Sequence, residues 1–290
     1  MMKILITGAN SYIGTSLERY LSQWQEQYAV DTVDMLDGGW RKRDFSGYDA
    51  VFHVAGLAHS DRGKISEEQK KLYYDVNTRL AIETAEKAKA DGVGQFIFMS
   101  SAIVYGDSAP IGKPKHITAD TPAAPANCYG DSKLQAETGI RSLENDAFRV
   151  VILRPPMIYG PGCRGNYPVL ARLARKLPFF PYVENQRSML YIENLCAFVR
   201  LMIDHRERGL FWPQNAEYSN TCEMVRMIAN AHGKRVRFVR GVTWLLRLAG
   251  HFTGTINRAF GNLSYAPELS AYREPYQTVG LQESIRRTEA

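Results

Sequence analysis

Three side chains in this sequence have types and spacing that suggest acid–base chemistry. Tyr129 and Lys133 lie four residues apart in a predicted helix over 127–146, so both project from one face of it. A nearby ammonium favours the phenolate of a tyrosine, and the protonated phenol can donate a proton to a carbonyl oxygen. Ser101 ends a predicted buried strand, and its hydroxyl could hold the reacting oxygen. The set predicts proton transfer at an oxygen atom of a substrate.

The segment TGANSYIG follows the first predicted strand, opens a helix and has the pattern of a phosphate-binding turn. Gly8 permits the tight turn, Gly14 permits close packing of helix on strand, and Ser11 replaces the middle glycine of the usual fingerprint. Asp34 ends the second strand, where a carboxylate binds a ribose 2′-hydroxyl and repels a 2′-phosphate. The basic residues 41–43 could still accept a phosphate. The pattern predicts a dinucleotide site that favours NAD(H) over NADP(H).

Strands that alternate with helices position these residues. The predicted strands are 3–8, 29–34, 49–56, 95–101, 149–156, 188–192 and 234–239, and the predicted helices are 12–28, 66–91, 127–146, 166–177, 193–205 and 219–232. The alternation predicts an α/β fold with a doubly wound parallel sheet. The family that the motifs resemble has a Rossmann-type sheet with a smaller C-terminal substrate-binding lobe, and we expect both here. We expect the dinucleotide-binding domain over 1–162 plus 186–215, and the substrate-binding lobe over 163–185 plus 216–290. The link over 35–48 is barely long enough for a crossover helix, so we expect it to be abbreviated.

The motifs occur in an order that resembles the extended short-chain dehydrogenase/reductases of the nucleotide-sugar epimerase/dehydratase type. They are TGANSYIG (7–14), Asp34, Asp44-Phe45, HVAG (53–56), VN (76–77), SSAIVYG (100–106), YGDSK (129–133), LRPPMIYGPG (153–162) and RSMLYIENL (187–195). The resemblance implies the Rossmann fold, a nicotinamide dinucleotide as cofactor, a UDP-sugar as substrate, and a homodimer that pairs the helices of Asn77 and Tyr129.

The resemblance also implies roles for individual residues. The catalytic residues would be Ser101, Tyr129 and Lys133, with Tyr129 as the acid/base and Lys133 on the nicotinamide ribose. The expected cofactor contacts are Gly8, Asn10, Ser11, Tyr12, Ile13, Gly14, Asp34, Asp44, Phe45, Ala55, Gly56, Asn77, Tyr129, Lys133 and Pro156. The expected substrate contacts are Ser101, Tyr129, Met157, Asn166 and Arg187, the last as a guanidinium on a phosphate. From its place in the long helix, Asn77 either braces the site or is a solvated helix residue.

The residues after Ser101 narrow the reaction. Related 4,6-dehydratases carry an Asp-Glu pair there, and Ala102 and Ile103 lack the acid and base for that elimination. The stretches PPMIYGPGCRGNYPVL (155–170) and LPFFPYVENQRSMLYIENL (177–195) resemble those of bacterial capsule and O-antigen enzymes. This resemblance favours NAD(P)H-dependent reduction of the C4 keto group of a UDP-4-keto-6-deoxy-N-acetylhexosamine, in bacterial surface-polysaccharide precursor synthesis. Met157 replaces an asparagine frequent in the family, and with Phe179 and Phe180 it offers an apolar wall for a C6 methyl group. The alternatives are an NAD-dependent UDP-glucose or UDP-N-acetylglucosamine 4-epimerase, and a non-catalytic dinucleotide-binding regulator.

Composition limits the partners. Of the 290 residues, 45% are hydrophobic and 23% are charged, which is typical of a folded domain. The four cysteines form no C-x-x-C pair and no export signal is visible, so we expect no metal and a cytoplasmic location. The net charge is −3 over 1–150 and +9 over 151–290, which suggests an anionic partner for the second half. We expect no nucleic acid and no membrane association, although 242–260 could lie on lipid rather than pack within its lobe.

Overall fold

The computed structural model describes residues 1–57, 65–252, 257 and 259–290, and the chain divides into two compact units. The first comprises Met1–Gly106, Pro122–Pro155 and Cys196–Trp212, and the second comprises Asp107–Thr121, Pro156–Leu195 and Pro213–Ala290. The second unit includes 107–121, 156–162, 186–195 and 213–215, which the sequence analysis places with the dinucleotide-binding domain. Where the functional domains divide stays a prediction.

The secondary structure is numbered in chain order. The strands are β1 (Met2–Thr7), β2 (Tyr28–Val33), β3 (Ala50–His53), β4 (Gln95–Met99), β5 (His116–Ile117), β6 (Arg149–Leu153), β7 (Met157–Tyr159), β8 (Phe179–Pro181), β9 (Met189–Tyr191), β10 (Gly209–Phe211), β11 (Arg237–Val239) and β12 (Ser264–Tyr265). The helices are α1 (Tyr12–Leu21), α2 (Glu67–Tyr73), α3 (Leu80–Ala90), α4 (Cys128–Arg141), α5 (Asn166–Lys176), α6 (Ile192–Asp204), α7 (Thr221–Ala231), α8 (Thr243–Phe252) and α9 (Leu281–Glu289).

A six-stranded parallel sheet in the order β10-β6-β4-β3-β1-β2 forms the centre of the first unit. Every residue of β3 and β4 is buried, which explains why these strands are nearly continuous apolar runs. The chain passes from β1 to β2 on one side and then to β3 on the other, so the strand order reverses at β1. Open parallel sheets bind ligands beyond the carboxyl ends of the strands at such a reversal. The predicted Rossmann-type fold class is confirmed.

The helix predicted over 66–91 contains a change of helix type. Ser66 and Gln69 cap α2 reciprocally, since each side chain accepts the other residue's backbone N–H. After α2 the chain forms a π-helical segment, Tyr74–Arg79, before it continues as α3. Segments of this kind are rare inside helices and frequently lie at functional sites. This one contains Asn77.

Two connections differ in length from the usual pattern. The predicted helix over 12–28 ends as α1 at Leu21 and is followed by a 3-10 turn, Ser22–Trp24. The link over 35–48 contains only the 3-10 turn Gly39–Lys42, so the expected abbreviation is confirmed. β2 is one of the two edge strands of the central sheet.

The second unit is built from paired short strands and helices. β5 pairs with β12, β7 with β9 and β8 with β11, all in parallel. α7 packs against both α5 and α9. Asn220 caps α7 by accepting the N–H groups of Cys222 and Glu223. The sequence analysis missed β7 and β8, each only three residues long.

None of the described helices is long and apolar enough to cross a membrane. The segment 242–260, considered above for contact with lipid, includes residues 253–256 and 258, which lie outside the described residues. α8 covers the earlier part of the segment.

Candidate active site

The predicted phosphate-binding turn joins β1 to α1. Gly8 has a φ of +96°, and a Cβ added to it would lie 2.9 Å from the backbone nitrogen of Ala55. Gly14 has equally little space, since an added Cβ would lie 2.6 Å from the Oγ of Ser11. Ser11 caps α1 by accepting the N–H of Gly14 at 3.1 Å. Ser11 thus serves as the helix cap at the position where the usual fingerprint has a glycine.

The start of α1 fits the diphosphate of a dinucleotide. The first N–H groups of a helix have no partner within the helix, and the helix dipole favours an anion there. Asn10, with a φ of +64°, leads into this end, and Tyr12 and Ile13 begin the helix. The first turn of α1 contains no acidic residue that would repel a phosphate.

Asp34 and Asp44, the two carboxylates that the sequence analysis predicts as cofactor contacts, are exposed. Asp34 directly follows β2, and its side chain accepts the N–H of Leu36 at 2.9 Å. The side chain of Asp44 accepts both the hydroxyl and the N–H of Ser46, and these hydrogen bonds hold the pKa of Asp44 below its usual value. Phe45 is completely buried, so its ring is part of the core. Contact of these residues with the cofactor stays a prediction.

Asn77 braces residues 54–57, the described residues of the loop that directly follow β3. Its Oδ1 accepts the N–H of Leu57 at 2.8 Å, and its Nδ2 donates to the carbonyl of Leu57 and to the Oγ of Ser132. A Cβ added to Gly56 would lie 3.0 Å from Asn77 Oδ1 and 3.2 Å from Lys133 Nζ. Asn77 is completely buried, so the reading of it as a solvated helix residue is wrong.

The hydroxyl groups of Tyr129 and Ser101 are hydrogen-bonded to each other. Tyr129 lies in the first turn of α4, which Asn127 caps by accepting the N–H of Gly130 at 2.9 Å. Ser101 lies beyond the end of β4 and caps the turn that follows, where its Oγ accepts the N–H of Ile103 at 3.3 Å. Burial raises the pKa of Tyr129 to about 12, against the opposing hydrogen bond from Ser101. The phenol therefore keeps its proton at neutral pH.

Lys133 is buried one turn after Tyr129 in α4. Its Nζ donates to the carbonyl of Met99 at 2.9 Å and lies 4.7 Å from the ring centre of Phe98. Burial lowers the pKa of Lys133 to about 8, although Glu137 opposes the shift. The ammonium is therefore the group at this site whose charge changes just above neutral pH.

A buried polar network lies one further turn along α4, and the sequence analysis missed it. Glu137 accepts hydrogen bonds from the guanidinium of Arg154, with Nη2 to Oε2 at 2.5 Å, and from the hydroxyl of Ser100. Arg154 also donates to the hydroxyl of Tyr105 at 2.7 Å, and so does the indole nitrogen of Trp212. Two features of the sequence could have indicated this network. They are the spacing of four residues from Lys133 to Glu137, and an arginine that directly follows an apolar strand. The network holds Ser100, the residue before Ser101.

The second unit contains a pocket of about 530 Å³ that opens to solvent. Met157, Asn166 and Arg187, which the sequence analysis predicted as substrate contacts, all line it. Desolvation lowers the pKa of Arg187 to about 10, so the guanidinium is charged at neutral pH. The predicted cofactor contact Pro156 directly precedes β7 in the same unit. Three of the predicted substrate residues are therefore neighbours, whereas Ser101 and Tyr129 belong to the first unit.

The fold and these residues define an enzyme dependent on a nicotinamide dinucleotide, and comparisons with known proteins agree. The model of the NAD-dependent epimerase/dehydratase family matches residues 4–211. A UDP-glucose 4-epimerase of Vibrio cholerae is 32% identical over 98% of this chain and 94% of its own length. An N-acetyl-alpha-D-glucosaminyl-diphospho-ditrans,octacis-undecaprenol 4-epimerase of Escherichia coli O157:H7 is 29% identical over 71% of this chain and 64% of its own length.

A solved structure shares the fold. The dTDP-4-dehydrorhamnose reductase of Clostridium acetobutylicum superposes with a TM-score of 0.76 at 20% identity, over 99% of this chain and 98% of that one. The chain belongs to the NAD-dependent epimerase/dehydratase family. It is an NAD(P)-dependent nucleotide-sugar enzyme of the extended short-chain dehydrogenase/reductase type, so the resemblance found in the sequence is confirmed.

Proposed function

We propose that this enzyme reduces the C4 keto group of a UDP-4-keto-6-deoxy-N-acetylhexosamine in bacterial surface-polysaccharide precursor synthesis. The observation that carries the proposal is the buried phenol of Tyr129, which is hydrogen-bonded to the hydroxyl of Ser101. Reduction of a ketone needs a group that donates a proton to the carbonyl oxygen, and a protonated phenol is such a donor. A 4-epimerase needs the same phenol when the hydride returns to its keto intermediate, so cofactor consumption rather than Tyr129 separates the two reactions.

In this proposal the residues of the chain bind and orient the substrate and the cofactor, and they transfer a proton to the substrate. Ser101 holds the keto oxygen, and Tyr129 donates its proton to that oxygen. A bound reduced nicotinamide dinucleotide supplies the hydride. Lys133 binds the nicotinamide ribose and tunes Tyr129, while Asn77 keeps Gly56 and the loop after β3 in place. Ala102 and Ile103 occupy the positions at which dehydratases carry their acidic pair, so dehydration lacks its acid and base.

The remaining site residues bind the two nucleotides in this proposal. Arg187 binds the substrate diphosphate as a charged guanidinium, with Asn166 and Met157 at the same pocket. Asp34 accepts the ribose 2′-hydroxyl and favours NADH over NADPH, because a carboxylate repels a 2′-phosphate. The homodimer and the cytoplasmic location stay predictions.

A UDP-sugar 4-epimerase is the second candidate. It is favoured by the Vibrio cholerae relative, which carries that activity in its name and aligns with 98% of this chain. An epimerase returns the hydride to its own substrate, so it consumes no reduced cofactor. The relative from Escherichia coli O157:H7 is named for a sugar on undecaprenol diphosphate, so the carrier of the sugar also differs among relatives.

Cofactor consumption separates the two candidates. Purified enzyme is mixed with UDP-4-keto-6-deoxy-N-acetylglucosamine and either NADH or NADPH, and the absorbance of the reduced nicotinamide is followed. We expect stoichiometric oxidation of NADH and slower oxidation of NADPH. Conversion of UDP-glucose or UDP-N-acetylglucosamine to the 4-epimer, with no oxidation in the first assay, would establish the epimerase instead. The variant Tyr129→Phe controls for oxidation that does not depend on this site.

A further inference from the structure

The pocket beside Arg187 has few groups that could recognise a nucleobase. Seven of its ten described lining residues are apolar: Met157, Val169, Leu170, Leu173, Met189, Met224 and Ala259. Thr221 has its hydroxyl engaged, since it donates to the carbonyl of Ala259 at 2.7 Å and accepts from the Nδ2 of Asn185 at 2.8 Å. The described lining includes no aromatic ring on which a base could stack. Apart from Arg187 and Asn166, these walls suit an apolar ligand, and methionine side chains adapt readily to one.

An exposed apolar strip leads from this pocket along α5. Val169 and Leu173 lie one turn apart on α5, line the pocket and are 46% and 38% exposed. Leu177, which directly follows the end of α5, is 41% exposed. The strip continues onto the β8–β11 pair, where Phe179 and Val239 are 54% and 40% exposed. Single exposed apolar residues are ordinary, but a contiguous row that begins in a pocket indicates a binding surface.

α8 extends the strip. Thr243, its first residue, donates from its hydroxyl to the carbonyl of Tyr182, which directly follows β8. Trp244, Leu245 and Leu248 of α8 are each about half exposed or more. Tryptophan beside leucine is typical of surfaces that rest at the boundary between lipid and water.

The two sequence segments that carry the strip contain charges of one sign only. Residues 166–182 and 234–248 contain eight lysines and arginines and no acidic residue. On α5, Arg172, Arg175 and Lys176 are exposed. The first acidic residue after β8 is Glu184, whose carboxylate accepts the hydroxyl of Tyr182 at 3.3 Å. A strip flanked by basic residues suits a long apolar chain that has an anionic end. It also suits the anionic membrane surface that contains such a chain.

We infer that the pocket also takes the sugar diphosphate of an isoprenoid alcohol, with the diphosphate on Arg187 and the isoprenoid chain along the strip from Val169 to Phe179. The inference rests on the proposed function, because it assigns the carrier of the same 4-keto sugar. The reaction is unchanged: a hydride goes to C4, a proton goes to the C4 oxygen, and the bond from sugar to diphosphate stays intact.

The test compares two carriers of one sugar. The substrates are UDP-4-keto-6-deoxy-N-acetylglucosamine and the same sugar on farnesyl diphosphate, each in the same detergent micelles with NADH. We expect kcat/KM for the farnesyl-linked sugar to be at least as high as for the UDP-linked sugar. Leu177→Asp lies outside the pocket, and it is expected to lower kcat/KM for the farnesyl-linked sugar about tenfold through lost apolar burial. It is expected to leave kcat/KM for the UDP-linked sugar unchanged.

The matched control is Leu72→Asp, the same substitution at an exposed leucine of α2, and it should change neither value. Reduction of the UDP-linked sugar alone would overturn the inference and leave the proposed function standing. Reduction of neither sugar would overturn both. Reduction of the farnesyl-linked sugar with full activity in Leu177→Asp would overturn the assignment of the strip.

Discussion

The buried ion pair between Glu137 and Arg154 leads to a sharp prediction about stability. Arg154 donates to both carboxylate oxygens of Glu137, and their side chains are only 8% and 2% exposed. Replacing Arg154 by methionine keeps much of the side-chain volume but leaves the charge of Glu137 buried and without its cation. Breaking such a pair from one side destabilises a protein by about 3–5 kcal/mol, because desolvation of the remaining charge is no longer compensated.

The size of the effect can be compared with that of an exposed pair. Arg286 and Glu283 also make a two-point contact, with nitrogen–oxygen distances of 2.7 and 2.8 Å, but their side chains are 66% and 39% exposed. Water and salt screen that pair, and Arg287 still donates to Glu283 when Arg286 is replaced. Arg286→Met should therefore change the free energy of unfolding far less than Arg154→Met. The comparison sets the loss of a buried contact against the loss of an exposed one.

The assay is equilibrium unfolding in urea, followed by far-ultraviolet circular dichroism. We expect Arg154→Met to lower the free energy of unfolding by about 3–5 kcal/mol, and the double variant Glu137→Leu with Arg154→Met to recover most of it. A loss no larger than that of Arg286→Met would refute the reasoning, since it would mean that Glu137 takes up a proton or reaches water at little cost.

Four further predictions concern the active site. Tyr129→Phe should abolish turnover and leave dinucleotide binding, measured by calorimetry, intact. Because burial lowers the pKa of Lys133 to about 8, kcat/KM for ketone reduction should fall above about pH 8, and Lys133→Met should remove that dependence. Asp34→Ala should narrow the preference for NADH over NADPH in steady-state kinetics, since the repulsion of a 2′-phosphate is lost. Gly56→Ala should weaken dinucleotide binding at least about tenfold in the same calorimetry, because its Cβ would press on Asn77 Oδ1 and Lys133 Nζ.

Each of these predictions has a result that contradicts it. Undiminished turnover in Tyr129→Phe would remove that residue from its role as proton donor. A decline in kcat/KM that persists in Lys133→Met would assign the titration to another group. An unchanged cofactor ratio in Asp34→Ala would show that this carboxylate does not contact the ribose, and wild-type affinity in Gly56→Ala would show that the loop after β3 shifts freely.

The pKa of Lys133 also affects stability in a direction that can be derived. Its value of about 8 in the folded protein lies below the ordinary 10.5, so between these values the unfolded chain binds a proton that the folded protein has released. The free energy of unfolding gains a contribution that rises with pH across that interval. Below about pH 8 both states are protonated, and this contribution does not change.

Local sequence patterns were sufficient for the elements that carry the chemistry. The turn from Gly8 to Gly14 could be predicted because it needs glycine where the chain turns tightly and a capped helix directly afterwards. The pairing of Tyr129 with Lys133 follows from the helical period alone. The long strands of the central sheet could be predicted because burial on both faces requires a continuous apolar run.

The tertiary structure decided the features that depend on partners distant in the sequence. A three-residue strand such as β7 or β8 has too few residues to show a pattern, and its pairing with β9 or β11 defines it. The state of Asn77 depends on Leu57 and Ser132, which are 20 and 55 residues away. The environments of Glu137 and Arg154 were equally hidden, since a polar side chain in a helix or after a strand has the same local pattern whether it is solvated or buried. The periodicity of the sequence determines which face of a helix or strand is apolar. Only the packed fold determines which polar groups are desolvated and which of them form hydrogen bonds or ion pairs with each other.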